Sequence, residues 1–194
     1  MSGRDLRWAV AAALLLLAGL VLSGEWLVRA SIPALRSMFE WLAPDFQLQR
    51  LDLQRDQADQ VLRAWVTLGR YTFVGGQLIT PDPRGMAQAS TIALHGLQGP
   101  LLALWAAMAW PAAAGRTRAL RVLACLPAAG LLFLLDAPVV LAASIWQFLV
   151  DAHAPGSWQP LLIARDLLQG GGRFVIGLAI GAGCAILIRS RRCQ

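Results

Sequence analysis

Several polar side chains stand inside or at the ends of long apolar stretches of the sequence. Ionisable groups are expensive in the hydrocarbon of a membrane, so residues of this kind are usually paired or functional. A carboxylate and an imidazole at one depth could relay a proton or act as general acid and base. An acid that faces an arginine would instead neutralise both charges. The candidates for this intramembrane polar layer are Glu25, His95, Gln98, Asp136 and Arg173.

Four of these side chains reach a similar depth when each apolar span is counted from its inner end at about 1.5 Å per residue. Glu25, His95, Asp136 and Arg173 all fall near the outer boundary of the hydrocarbon. The sequence therefore predicts one polar layer shared by the spans, just beneath the outer surface.

Asp136 and Arg173 are the most direct candidates for an ion pair, because the residues that flank them mirror each other. Cys125 precedes Asp136 by eleven residues, and Arg173 precedes Cys184 by eleven. In two antiparallel helices this spacing brings the acid to the arginine at one end and the two cysteines together at the other. In the alternative, Arg173 reaches a lipid phosphate and Asp136 meets water or another chain.

The last apolar span carries a glycine pattern on the helix face that holds Arg173 and Cys184. Gly177 and Gly181 form a Gly-xxx-Gly spacing, which lets a neighbouring helix approach closely. We therefore expect the third and fourth spans to pack through Gly177, Gly181, Cys125 and Cys184.

The sequence lacks the motifs of common catalytic sites. It contains no HExxH, GxSxG or Walker pattern, and no cysteine accompanies a histidine on the outer side. The three cysteines, Cys125, Cys184 and Cys193, lack CxxC spacing, so neither a disulfide framework nor a metal site is expected. The sequence predicts a non-catalytic protein without a cofactor or metal ion.

Composition places the chain in the membrane class. Of its 194 residues, 57% are hydrophobic and only 14% are charged. The net charge of +6 comes entirely from arginines, most of the excess standing at the ends of apolar spans. This is the positive-inside pattern of membrane proteins, so we expect a lipid bilayer and no nucleic acid as partner. It also predicts cytoplasmic N- and C-termini.

The predicted fold is a mainly α membrane protein with four transmembrane helices and a small α+β extracytoplasmic domain between helices 1 and 2. Residues 1–23 form an N-terminal anchor, for which a cleaved signal peptide is the alternative. Residues 24–88 form the extracytoplasmic segment. Residues 89–192 form a three-helix transmembrane region with an outside loop at 151–172.

The segment 24–88 has two parts in this interpretation. Ile32, Leu35, Phe39 and Leu42 follow helical spacing and predict an amphipathic helix that lies on the outer leaflet or packs on its own domain. Beyond it, alternating residues predict a small antiparallel sheet of three or four strands, with a turn at Gly75-Gly76. Such a sheet is marginally stable alone and would rest on the membrane surface or on a partner.

The layout resembles that of the small exosortase-associated membrane proteins, in particular the exosortase H companion type. The stretches that carry this resemblance are ALHGLQGPLLAL, from Ala93, and the third span from Arg118 through LPAAG to Asp136. The resemblance implies a non-catalytic companion of a protein-sorting transpeptidase in the bacterial inner membrane. The cysteine, arginine and histidine set of the sorting enzyme itself is not recognisable in this chain.

Two functions follow as hypotheses. The first is an accessory or scaffold subunit of an envelope complex for protein sorting or export, bound to a membrane-protein partner or to further copies of itself. The second is a small oligomeric transporter or proton-coupled component that uses His95 and Asp136.

Overall fold

The computed structural model describes residues 3–57, 59–82, 84–111 and 115–190. The chain is mainly helical, at 68%, with a small sheet. The helices are α1 (Gly3–Leu42), α2 (His95–Ala109), α3 (Gly115–His153), α4 (Pro160–Leu167) and α5 (Arg173–Ser190). The strands are β1 (Phe46–Asp56), β2 (Asp59–Leu68), β3 (Thr72–Val74), β4 (Gln77–Ile79) and β5 (Met86–Ile92).

Three helices in the described ranges are long and apolar enough to cross a membrane: Leu6–Leu42, Gly115–His153 and Pro160–Ile188. In the third, α4 and α5 meet at a kink, Leu168–Gly172, in which Gly171 adopts a non-helical φ of 103°. Much of the predicted outside loop 151–172 is therefore helical. The large apolar side chains of α1 are mostly exposed, which suits contact with lipid.

The predicted second span is the one that departs from the expected layout. Its first residues form β5, and only the 15 residues of α2 remain for a helix. At 1.5 Å per residue α2 is about 22 Å long, short of the roughly 30 Å of a hydrocarbon core. The count of four membrane-length helices is thus not confirmed.

The first helix is longer than predicted. Where the sequence suggested an anchor ending at residue 23 and a separate amphipathic helix, α1 runs without interruption for 40 residues and includes Pro33. Leu35 and Phe39, near its end, are fully buried in a core shared with the sheet. This part of α1 therefore packs on its own domain, one of the two alternatives that its amphipathic spacing left open.

The chain divides into two compact units. The helical unit consists of Met1–Trp26, Gly96–Phe133 and Gly171–Gln194, and the sheet unit of Leu27–His95 and Leu134–Gly170. Because α1 and α3 run through both ranges, each long helix contributes its first part to the helical unit and its second part to the sheet unit.

The sheet unit is built on three antiparallel strands in the order β1-β2-β5. In β2, Leu62, Ala64 and Val66 are buried while Arg63 and Trp65 on the other face are partly exposed, the alternation expected of a half-covered sheet. The buried face packs against Leu35 and Phe39 of α1 and residues 137–145 of α3. One face of the sheet is therefore buried in the core.

A short hairpin of β3 and β4 completes the sheet unit. Its turn is Gly75-Gly76, as predicted, and both glycines adopt positive φ values. Gly75 also lies against the end of α3, where an added Cβ would stand 2.3 Å from the Cβ of Ala154. Val74 is buried with Ala143 and Val150 of α3, which anchors the hairpin.

Candidate functional site

Two glycines of α5 lie directly against the backbone of α2. A Cβ added to Gly177 would lie 2.3 Å from the carbonyl oxygen of Gly99, and one added to Gly181 would lie 2.3 Å from that of Ala103. The absence of a side chain at these two positions therefore lets the two backbones approach closely, as in Gly-xxx-Gly contacts in membranes. The sequence predicted a close helix contact on this face of α5 and assigned it to the third span, whereas the nearest atoms to both glycines belong to α2.

Cys184 of α5 packs against the buried cluster that contains Cys125 of α3. Both thiols are free, and Cys125 is completely buried. They belong to a small-residue core that also contains Ala103, Ala107 and Ala129. This contact agrees with the mirrored spacing of the two cysteines in the sequence. Cys193 lies outside the described residues.

Two arginines in the first turns of α3 make contacts that the charge pattern of the sequence did not reveal. Arg121 is only 2% exposed, and its guanidinium donates hydrogen bonds to the carbonyl oxygens of Trp110 and Pro111 at 3.0 and 3.2 Å. A cation at the end of α2 is favourable, since the last carbonyls of a helix are otherwise unpaired and carry partial negative charge. The guanidinium of Arg118 lies 5.3 Å from the ring centre of Trp8 on α1.

A hydrogen bond that the sequence did not indicate joins α2 to α1. The indole nitrogen of Trp105 donates a hydrogen bond of 3.1 Å to the carbonyl oxygen of Ala9. A tryptophan in a Leu/Ala-rich stretch gives no pairing signal by itself, so only the structure reveals this contact. Together with Arg118 and Arg121, it ties three helices of the helical unit to one another.

Gln98 of the predicted polar layer lines an open cavity of about 460 Å³ in the helical unit. The other walls are apolar and come from α1 (Leu16, Leu17 and Leu20), from α2 and from Phe174. A single amide in such a groove can hydrogen-bond to a polar group of a bound lipid or helix.

The remaining members of the predicted polar layer differ in exposure. Asp136 and Arg173 are 3% and 5% exposed, whereas His95 is half-buried at the start of α2 and Glu25 is exposed on α1. Asp136 belongs to the sheet unit and Arg173 to the helical unit. Their pairing stays a prediction, as does a layer shared by all of these residues.

The outer face of the sheet carries an ordered set of polar side chains. Arg50 forms an ion pair with Asp52, and its guanidinium lies 5.5 Å from the ring centre of Trp65. Arg63 donates hydrogen bonds to Gln54 and Asp56 at 3.2 and 3.3 Å. Cross-strand pairs of this type hold the side chains of an exposed sheet face in place. We call this surface the polar face; it comprises Arg50, Asp52, Gln54, Arg63 and Trp65.

Comparison of the chain with protein-family models, with curated proteins and with solved structures gave no match. The resemblance to exosortase-associated proteins therefore stays a prediction. Within the described ranges, no group of three or more histidine, cysteine or acidic side chains is placed to hold a metal ion. The features that could act are thus the polar face, the Gln98 cavity and the buried carboxylate of Asp136.

Proposed function

We propose that this protein is a non-catalytic accessory subunit of an envelope complex for protein sorting or export in the bacterial inner membrane. Its apolar helices anchor it in the bilayer, with both termini on the cytoplasmic side, and its sheet unit contacts the partner. The observation that carries the proposal is the polar face: one side of the sheet is used by the core, and the other presents organised side chains.

The composition of the polar face suits recognition. Arginine and tryptophan are enriched among residues that dominate binding energies, because each offers a large contact area together with hydrogen bonding. Trp65 is held beneath Arg50, and Arg63 is held by Gln54 and Asp56, so little side-chain freedom is lost on binding.

The arrangement of α1 and α3 also suits an anchor for a docking domain. They are 40 and 39 residues long, or about 60 Å each, roughly twice the length needed to cross the hydrocarbon. Each contributes its second part to the core of the sheet unit, so that residues of both long helices help to build the docking domain.

The proposal is tested by purifying the tagged full-length protein from its own membranes in a mild detergent and measuring the molecular mass of the purified complex. We expect a complex larger than the monomer with a partner in fixed stoichiometry. Trp65→Ala should lower the amount of bound partner, whereas Trp158→Ala, at a well exposed tryptophan elsewhere, should not. A stable lone monomer, or partner loss that is equal for both variants, contradicts the proposal.

A second candidate function is a small oligomeric transporter or proton-coupled component, favoured by one observation. Asp136 is a nearly inaccessible carboxylate in a helix of membrane-crossing length, and such groups commonly mark ion or proton pathways. Proton flux into proteoliposomes that disappears in Asp136→Asn would support this function, with His95→Gln as the second variant. Absence of flux from the intact protein contradicts it.

A further inference from the structure

Strand β5 forms an edge of the three-stranded sheet, and its outward backbone groups can be identified. The amide of Ala93 donates to the carbonyl oxygen of Gln60, so these two residues form a hydrogen-bonded pair. Hydrogen-bonded and non-hydrogen-bonded pairs alternate in an antiparallel ladder. By the observed register, Ala87 and Ala89 therefore bond to β2, while the backbone groups of Gln88 and Ser90 point away from the sheet.

The two edges of the sheet are protected to different degrees. At the β1 edge the register shifts between Leu48 and Arg50, and the strand carries four charged residues. Bulges and charges of this kind are the usual devices that prevent a further strand from adding. The sequence of β5, MAQASTI, has no charge and no proline. Among the described residues, no backbone hydrogen bond is recorded on its outward side.

A pocket lies beside the first residues of β5. It has a volume of about 340 Å³ and is lined by Met86 and Ala87 of β5 and by apolar residues that include Phe46, Phe148 and Leu149. Its charged lining residue is Asp82, whose carboxylate also accepts a hydrogen bond from the amide of Arg84. The pocket therefore suits one bulky apolar side chain with a cationic group near Asp82.

We propose that β5 accepts an extended segment of a partner protein as an additional strand. The backbone of that segment pairs with Gln88 and Ser90, one of its apolar side chains enters the pocket, and an adjacent lysine or arginine faces Asp82. Main-chain pairing supplies affinity in such complexes, and the pocket supplies specificity. This inference rests on the proposed accessory function for the existence of a partner, and it identifies the chemistry that this partner must offer.

The direct test uses a labelled peptide and the full-length protein in detergent. The probe is a fluorescent heptapeptide of alternating valine and threonine with a leucine and a neighbouring lysine at one end. We expect saturable binding by fluorescence anisotropy. The same peptide with N-methylated backbone amides should bind about tenfold or more weakly, because it cannot form the ladder. Equal binding of both peptides, or no binding, overturns the proposal.

Two protein variants separate the ladder from the pocket. Gln88→Pro removes an outward amide without touching the bonds to β2, a position where edge strands accept proline. It should weaken peptide binding about tenfold or more, while Gln88→Thr should not. Asp82→Asn, which can still accept the bond from Arg84, should weaken only a lysine-containing peptide and not one with glutamine instead. Unchanged binding in Gln88→Pro overturns strand addition.

The oligomeric state distinguishes a partner segment from the other possible occupant of this edge, which is β5 of a second copy of the chain. If the intact protein is a dimer that Gln88→Pro converts to a monomer, the occupant is β5 of a second copy and the partner-segment proposal is wrong. If a partner co-purifies equally with Gln88→Pro and with the intact protein, strand addition is wrong but the accessory function stands. If no partner co-purifies although the peptide binds as expected, the accessory function is the part that fails.

Discussion

Gly177 lies so close to Gly99 that a methyl group added to it would overlap the Gly99 carbonyl, with only 2.3 Å between the new Cβ and that oxygen. The neighbouring atoms are backbone, which cannot move aside as a flexible side chain can. In a membrane, where no hydrophobic force drives helices together, contacts this close supply the packing energy that holds two helices in place.

Gly177→Ala should therefore destabilise the helical unit by about 1–3 kcal/mol or more, because α5 must move away from α2. Gly183→Ala is the matched control, since nothing lies within 4 Å of its added Cβ. The control should be neutral or gain up to about 1 kcal/mol from higher helix propensity. The free energy of unfolding in mixed detergent micelles measures both, and equal stabilities would show that the contact is not tight.

The contact between Cys125 and Cys184 predicts a specific oxidation product. Treatment of the purified protein with a copper–phenanthroline oxidant should convert the two thiols into one disulfide linking α3 and α5. Mass spectrometry of the digested protein identifies the linked peptides. A Cys193→Ser variant should still form the bond, and Cys125→Ser should not. A disulfide that appears only when Cys193 is present would contradict the observed pairing.

The hydrogen bond from Trp105 to Ala9 should hold the start of α1 against α2. Trp105→Phe keeps an aromatic ring but loses the indole donor, at a cost of about 1 kcal/mol. Trp158→Phe provides the control, because Trp158 is well exposed. Chemical unfolding followed by circular dichroism compares the two. A Trp105→Phe protein as stable as the control would mean that this bond contributes nothing.

The core of the sheet unit should depend strongly on Phe39. This side chain of α1 is completely buried among residues of the sheet and of α3, so Phe39→Ala should cost about 3–5 kcal/mol. Phe73 in the β3–β4 hairpin is well exposed, and Phe73→Ala should change stability by less than about 0.5 kcal/mol. Limited proteolysis of the sheet unit provides the measurement, with faster cleavage expected only for Phe39→Ala.

Charge exchange tests the pairing that the sequence predicts for Asp136 and Arg173. Asp136→Ala alone should reduce assembly and stability, because a buried charge that loses its partner is costly. If the two residues form a pair, the double variant Asp136→Arg with Arg173→Asp should recover part of the loss. A double variant that is as unstable as the sum of its single substitutions indicates that each residue is satisfied elsewhere.

Local patterns in the sequence accounted for several parts of the fold. The alternation in β1 and β2 and the Gly75-Gly76 turn correctly predicted strands and a hairpin, because these features depend on neighbours in the chain. The alternation in β5 was missed. Its small residues Ala87 and Ala89 merge with the apolar run that follows, so the stretch was interpreted as the start of a membrane span.

The sequence by itself determined the membrane-like apolar helices, the surface of small residues on α5 and the strands that alternate clearly. Each of these features depends only on the residue types and on the spacing of apolar residues along the chain. Only the tertiary structure decided that α2 is the partner of Gly177 and Gly181, that Arg121 caps α2, and that β5 is an open edge beside a pocket. A small-residue stripe specifies how close a neighbour can come, but not which one. That choice depends on competing contacts between helices distant in sequence, which no local pattern records.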